Sequence, residues 1–191
     1  PTLQAMVEAA KAKELPDDLR QQIEPPPKQA ETSGDAQRGW ALFQQGKMRS
    51  AESMFRKALA KDPENLSAMN GLGFCLLNSG KPAEAKPYFE KCLELEKDAA
   101  GPMNGLARCL QAEGKLDEAV KIWERMQKKY PGPTAATYGL ANAYAERGEH
   151  TKAAAMYEQL VKASPDDPQL KEAWRDALVK ATAEKGEKAK Q

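Results

Sequence analysis

Residues 46–55 read GKMRSAESMF, residues 80–89 GKPAEAKPYF, residues 114–123 GKLDEAVKIW and residues 148–157 GEHTKAAAMY. Each segment opens on a glycine, carries an alanine five residues later and an aromatic four residues after that, and consecutive copies begin 34 residues apart. A fixed period of that length means one structural unit used four times. Such a unit cannot bury its apolar face alone. Neighbours stack to cover it and leave a continuous outer surface, better suited to holding partners than to transforming substrates.

The phase persists on either side of these segments. A small residue recurs at Gly39, Gly73, Ala107 and Ala141, and a large apolar or aromatic one at Leu42, Leu76, Leu110 and Tyr144. Two antiparallel helices approach closely only where one presents little side chain, and the aromatic at Phe55, Phe89, Trp123 and Tyr157 fills the space between a unit and its neighbour. Gly46, Gly80, Gly114 and Gly148 supply the positive φ that ends the first helix of each pair and turns the chain into the second. Pro63, Pro131 and Pro165 close three of the second helices, while Lys97 stands at the fourth such position.

This pattern of large apolar, small residue, glycine turn, alanine, aromatic and proline resembles the tetratricopeptide repeat family. The resemblance implies an all-α fold, an α-solenoid of four helix pairs at 32–65, 66–99, 100–133 and 134–167 in a right-handed superhelix with a C-terminal capping helix. Residues 1–31 would form an N-terminal helical extension and proline-rich connector, and 168–191 the capping helix and a charged tail. Two departures fall in the first unit: Arg38, where the others carry Leu72, Leu106 and Leu140, and Asp35 at the usual first aromatic position. A first unit has no preceding neighbour, so its outer side tolerates polar residues or is covered by the segment before it.

In that segment Leu3, Met6, Val7 and Ala10 stand at helical spacing, and Pro16-Asp17-Asp18 starts a second short helix that ends before the stiff run Pro25-Pro26-Pro27. The stripe is too short to be stable alone, so docking is expected, either on the first unit near Arg38 or on another molecule, a route to a homo-oligomer. At the other end Leu170, Ala173, Trp174, Ala177 and Leu178 form the stripe of a capping helix from Pro168 to about Lys180, followed by a frayed tail.

Charged residues make up 30 % of the chain, and no apolar run approaches the ~20 residues that span a bilayer. Lysines interleave with glutamates as on a solvated helix face, which argues against a nucleic-acid surface. Cys75, Cys92 and Cys109 fall at small buried positions and read as core thiols, suited to a reducing cytoplasm. The first residue is Pro1, which suggests a processed product or a piece of something larger and leaves localisation open. Enzyme chemistry finds no nucleophile elbow, phosphate loop or metal spacing, and no cofactor is implied. His150 lies in a turn where the repeat places an exposed residue, and Asp17-Asp18 and Asp166-Asp167 read as helix caps.

In the family that the pattern resembles, the first helix of every unit lines a concave groove for a protein or peptide partner. By phase that groove holds Trp40, Phe43, Asn70, Phe74, Leu77, Asn78, Asn104, Arg108, Gln111, Tyr138 and Asn142, with Ala36 and Ala145 at its margins. Trp40 and Phe74 either anchor a partner or cover the seams between helices. Asn70, Asn104 and Asn142 form a ladder able to bond an extended backbone through both donor and acceptor. The cationic clamp that some members place on a terminal carboxylate is incomplete, since only Arg108 sits where it needs a cation. A scaffold or adaptor binding a peptide or helix is the resulting expectation. The alternative is a module that assembles with itself or docks within a larger protein.

Overall fold

The computed structural model describes residues 34–132 and 134–188, and over these the chain is all-α, with nine helices and no strand. They are α1 (Gly34–Gln44), α2 (Met48–Lys61), α3 (Leu66–Asn78), α4 (Pro82–Leu95), α5 (Ala100–Ala112), α6 (Leu116–Lys129), α7 (Ala135–Glu146), α8 (His150–Ala163) and α9 (Pro168–Lys188). The expectations placed on residues 1–31, including the apolar stripe of residues 2–14, lie outside the described residues. The helices group into two compact units, α1–α5 ending at Gly114 and α6–α9 beginning at Lys115.

The breaks between first and second helices fall at the four periodic glycines, whose φ values are 72°, 75°, 77° and 73°. These turns close with bonds that satisfy the last carbonyls of the helix. Gly46 N–H donates to Phe43 and Lys47 N–H to Leu42, Gly80 to Leu77 and Lys81 to Leu76, and Gly148 to Ala145 and Glu149 to Tyr144. Only a residue free of Cβ adopts that conformation without strain. Pro63, Pro131 and Pro165 each lie two residues past the end of a second helix. Helix α4 ends at the same phase without one, and the chain there turns through Asp98 at φ 65°.

In the first unit, α3 touches α1, α2, α4 and α5. The aromatic of each second helix is wedged against the backbone of first helices. A Cβ placed on Gly39 would meet the Phe55 ring at 2.6 Å, and one on Gly71 at 2.3 Å, so the ring lies between α1 and α3. Phe89 is held the same way, 2.7 Å from a Cβ at Gly73 of α3 and 2.3 Å from one at Gly105 of α5. In the second unit a Cβ placed on Gly139 of α7 would meet the Trp123 ring of α6 at 2.3 Å. These three rings are fully buried, and burial of a large apolar side chain contributes ~1.5–3 kcal/mol.

Asp35 explains one departure from the pattern. It is buried at the start of α1 and pairs with Lys57 at 3.4 Å and with Lys61, both on α2. An ion-pair bridge thus joins α1 to α2 at the position where the other units carry Met69, Met103 and Thr137. The carboxyl is held below its ordinary value, chiefly by the Lys61 hydrogen bond and further by Lys57.

The cap of α9 is as expected, Asp167 Oδ1 accepting from Gln169 N at 2.8 Å and Leu170 N at 3.1 Å. Its length is not. The helix continues to Lys188 rather than ending near Lys180. Residue 182, where the next periodic glycine would fall, is a threonine whose Oγ1 bonds Val179 O at 2.8 Å inside the helix. His150 likewise departs from the sequence reading: it opens α8 and is half-buried.

Candidate partner-binding face

The first helices of the first unit stand side by side, α3 against both α1 and α5, and the residues expected to line a groove divide by burial. Trp40, Asn70, Phe74, Leu77 and Asn104 are buried, whereas Phe43, Asn78, Arg108 and Gln111 are half-buried. Tyr138 and Asn142, both half-buried, belong to α7 of the second unit.

Trp40 and Phe74 are enclosed. The Trp40 Nε1 donates to Ser67 Oγ at 3.0 Å, and its ring meets Phe43, Phe55 and Phe74 edge-on at 5.4, 5.3 and 6.5 Å between centroids. Phe74 is fully buried and sits edge-on to Phe89 at 5.0 Å and to Phe43 at 6.5 Å. This is the seam-covering arrangement. The glycines at 39, 71 and 73 bring the helices so close that a ring on a first helix reaches its neighbours. Such rings join α1–α4 into one aromatic cluster, and Phe43 is its partly exposed member.

The three asparagines are not equivalent rungs. Asn70 is 1 % exposed, and neither its Nδ2 nor its Oδ1 has a hydrogen-bond partner. Its amide lies against α5, since a Cβ on Gly101 would come within 2.8 Å of Nδ2. Asn104 is buried. Asn142 already accepts a bond from Tyr157 Oη at 2.6 Å, which ties α7 to α8 and commits the carbonyl that a peptide N–H would need. The repeat phase gives no sign of that partner, because it marks Tyr157 only as a packing residue. The glycines at 71, 105 and 139, which seat the buried rings, do carry a 34-residue spacing of their own in the sequence.

Cys75, Cys92 and Cys109 are buried and unbridged, and burial pushes each thiol up to about 12, far from a reactive thiolate at neutral pH. Among the described residues no group of three potential metal ligands converges, and no helix is long and apolar enough to cross a membrane.

Two family models of the tetratricopeptide repeat match the chain, one at residues 42–86 and the other at 76–132 and again at 104–168. The chain belongs to the tetratricopeptide repeat family. No curated protein matches it at a significant level. Solved structures that resemble it include TTC0263, a thermophilic tetratricopeptide protein of Thermus thermophilus, with a TM-score of 0.65 and 16 % identity over 76 % of this chain and 80 % of that one. PilF of Pseudomonas aeruginosa gives 0.68 and 20 %, over 78 % and 68 %. YrrB, described as a tetratricopeptide protein with an unusual peptide-binding site, gives 0.60 and 28 %, over 72 % and 71 %.

Proposed function

We propose that the chain is a non-enzymatic protein-interaction module that takes a peptide or helix of a partner along the first-helix face of its first unit. In this reading the four units keep the boundaries 32–65, 66–99, 100–133 and 134–167. The buried rings of Trp40 and Phe74 shape the floor, while Phe43, Asn78, Arg108 and Gln111 supply the apolar, polar and cationic contacts. The likeness to YrrB supports it.

The observation that carries the proposal is Asn70. A buried amide with neither donor nor acceptor satisfied costs ~1–3 kcal/mol where it lies. Turning it toward an extended backbone supplies both partners at once, so part of the gain on binding is the relief of that cost. Arg108 favours an acidic group on the partner, with an affinity that weakens with salt.

A displayed peptide library selected on the full chain, followed by calorimetric titration of the best binder, tests this. Asn70→Ala and Arg108→Ala should each weaken binding at least about tenfold, equivalent to ~1.4 kcal/mol. Lys91→Ala on the second helix α4 should leave it unchanged. Binding equally strong in Asn70→Ala and Arg108→Ala would contradict the assignment of the face.

A further inference from the structure

Two asparagines of the first unit are followed directly by glycine, Asn70-Gly71 in α3 and Asn104-Gly105 in α5, whereas Asn65, Asn78 and Asn142 are followed by residues that carry a Cβ. The two members of each pair have separate structural reasons. Gly71 seats Phe55 and Gly105 seats Phe89, and in each case a Cβ would come within 2.3 Å of the ring. The asparagine before each is buried on the first-helix face, Asn70 at 1 % exposed with neither polar atom of its amide bonded. At the third such seat Gly139 follows Tyr138, so the second unit has the packing without the pair.

Such a pair is chemically labile wherever the backbone is free, because a glycine without Cβ leaves its nitrogen open to close on the preceding side chain. Once hydroxide removes the Gly71 N–H proton, that nitrogen attacks Asn70 Cγ. The new N–C bond closes a five-membered imide, and the Cγ–Nδ2 bond breaks as Nδ2 takes a proton from water and leaves as ammonia. Water then adds to either imide carbonyl and reopens the ring as aspartate or isoaspartate, so that amide plus water becomes carboxylate plus ammonium. The folded chain blocks the first step. Within α3 and α5 each glycine N–H is donated to the carbonyl four residues back, which ties the nitrogen and fixes the peptide in the helical conformation. We propose that Asn70-Gly71 and Asn104-Gly105 are paired deamidation sites that retire the first-helix face of the first unit, shut while α3 and α5 are closed and exposed whenever either opens. The product cannot reseat as before. A carboxylate in place of the Asn70 amide is an unpaired charge at a 1 % exposed position, and isoaspartate adds a carbon to the backbone that interrupts the helical hydrogen bonds. A Cβ at residue 71 or 105 would slow the chemistry but strike Phe55 or Phe89, so the packing that builds the unit also builds the sites. The inference is independent of peptide binding on this face.

Incubation of the full chain at mildly alkaline pH, followed over time by peptide mass mapping, reads the sites directly. In denaturant Asn70 and Asn104 should convert well ahead of Asn65, Asn78 and Asn142. In the native chain both should slow by at least about a hundredfold, because the rate tracks the population of the open form. Phe89→Leu, which loosens the ring held between Gly73 and Gly105, should raise the native rate several-fold and leave the rate in denaturant unchanged. Urea below the unfolding transition should raise the native rate of the wild type in the same way. The deamidated fraction, separated by ion exchange, and Asn70→Asp made directly should each have a lower urea midpoint than the wild type. Equal rates at all five asparagines in denaturant, a native rate as fast as the denatured one, a native rate insensitive to both perturbations, or an Asn70→Asp chain as stable as the wild type would each overturn the inference.

Discussion

Replacing Gly105 with alanine sets two well-characterised effects against each other. On an open helix surface the change gains ~1 kcal/mol, because glycine is the poorer helix former. Here the new Cβ would sit 2.3 Å from both Cε1 and Cζ of Phe89, whereas ordinary contact begins near 3.4 Å. The ring would have to retreat by roughly 1 Å, and it has nowhere to go. It is fully buried, with Gly73 closing its other side and Phe74 edge-on at 5.0 Å. Overpacking costs ~1–3 kcal/mol, and the upper end applies where the clash is with an immobile ring. The net expectation is a loss of about 2 kcal/mol, read as a lower urea midpoint and a fall in Tm of ~2–4 °C per kcal/mol for a chain of this length. Phe89→Leu in the same molecule should erase the penalty, giving a coupling of ~0.5–3 kcal/mol in the double-mutant cycle. A Gly105→Ala variant more stable than wild type, or a coupling of zero, would refute the wedge as the organising contact.

Other perturbations test separate links. Asn70→Leu should keep or raise stability, by up to ~1–3 kcal/mol, because it removes an unsatisfied buried amide, and a lower Tm would show that the amide is bonded in solution. Asp35 has a depressed carboxyl, so its contribution is present above the ordinary value of 3.8 and is lost as pH falls through the lowered one. The stability difference between wild type and Asp35→Asn should accordingly shrink on acidification below about pH 4, and a constant difference would count against the Lys57–Lys61 bridge. Cys75, Cys92 and Cys109 should resist an aromatic disulfide reagent at pH 8 in the folded protein and react at once in denaturant. Fast labelling of the native chain would show that the core opens.

The helical layout is legible in the sequence because its signals are local and periodic. Glycines with positive φ, the alanine–aromatic spacing and the closing prolines each act within one turn, and the helix breaks fall where they stand. The reach of α9 is not legible, because glycine is missing at residue 182 and the glycine that follows, Gly186, does not end the helix, which runs to Lys188. The face is harder to read. Phase places Trp40, Asn70 and Phe74 on first helices, but burial depends on how closely those helices approach. That distance is set by Gly39, Gly71, Gly73 and Gly105 acting across the interface. The bond from Tyr157 to Asn142 joins residues 15 apart and leaves no trace in either one's local pattern.

A partner that engages the first-helix face of the first unit should perturb that face in solution. Amide chemical-shift mapping of the full chain, titrated with a selected peptide, tests it most directly. Shifts should concentrate on α1, α3 and α5, with the Asn70 and Asn78 side-chain amides and the Arg108 guanidinium among the largest. Shifts confined to α2 and α4, with the Asn70 amide unmoved at saturation, would contradict it.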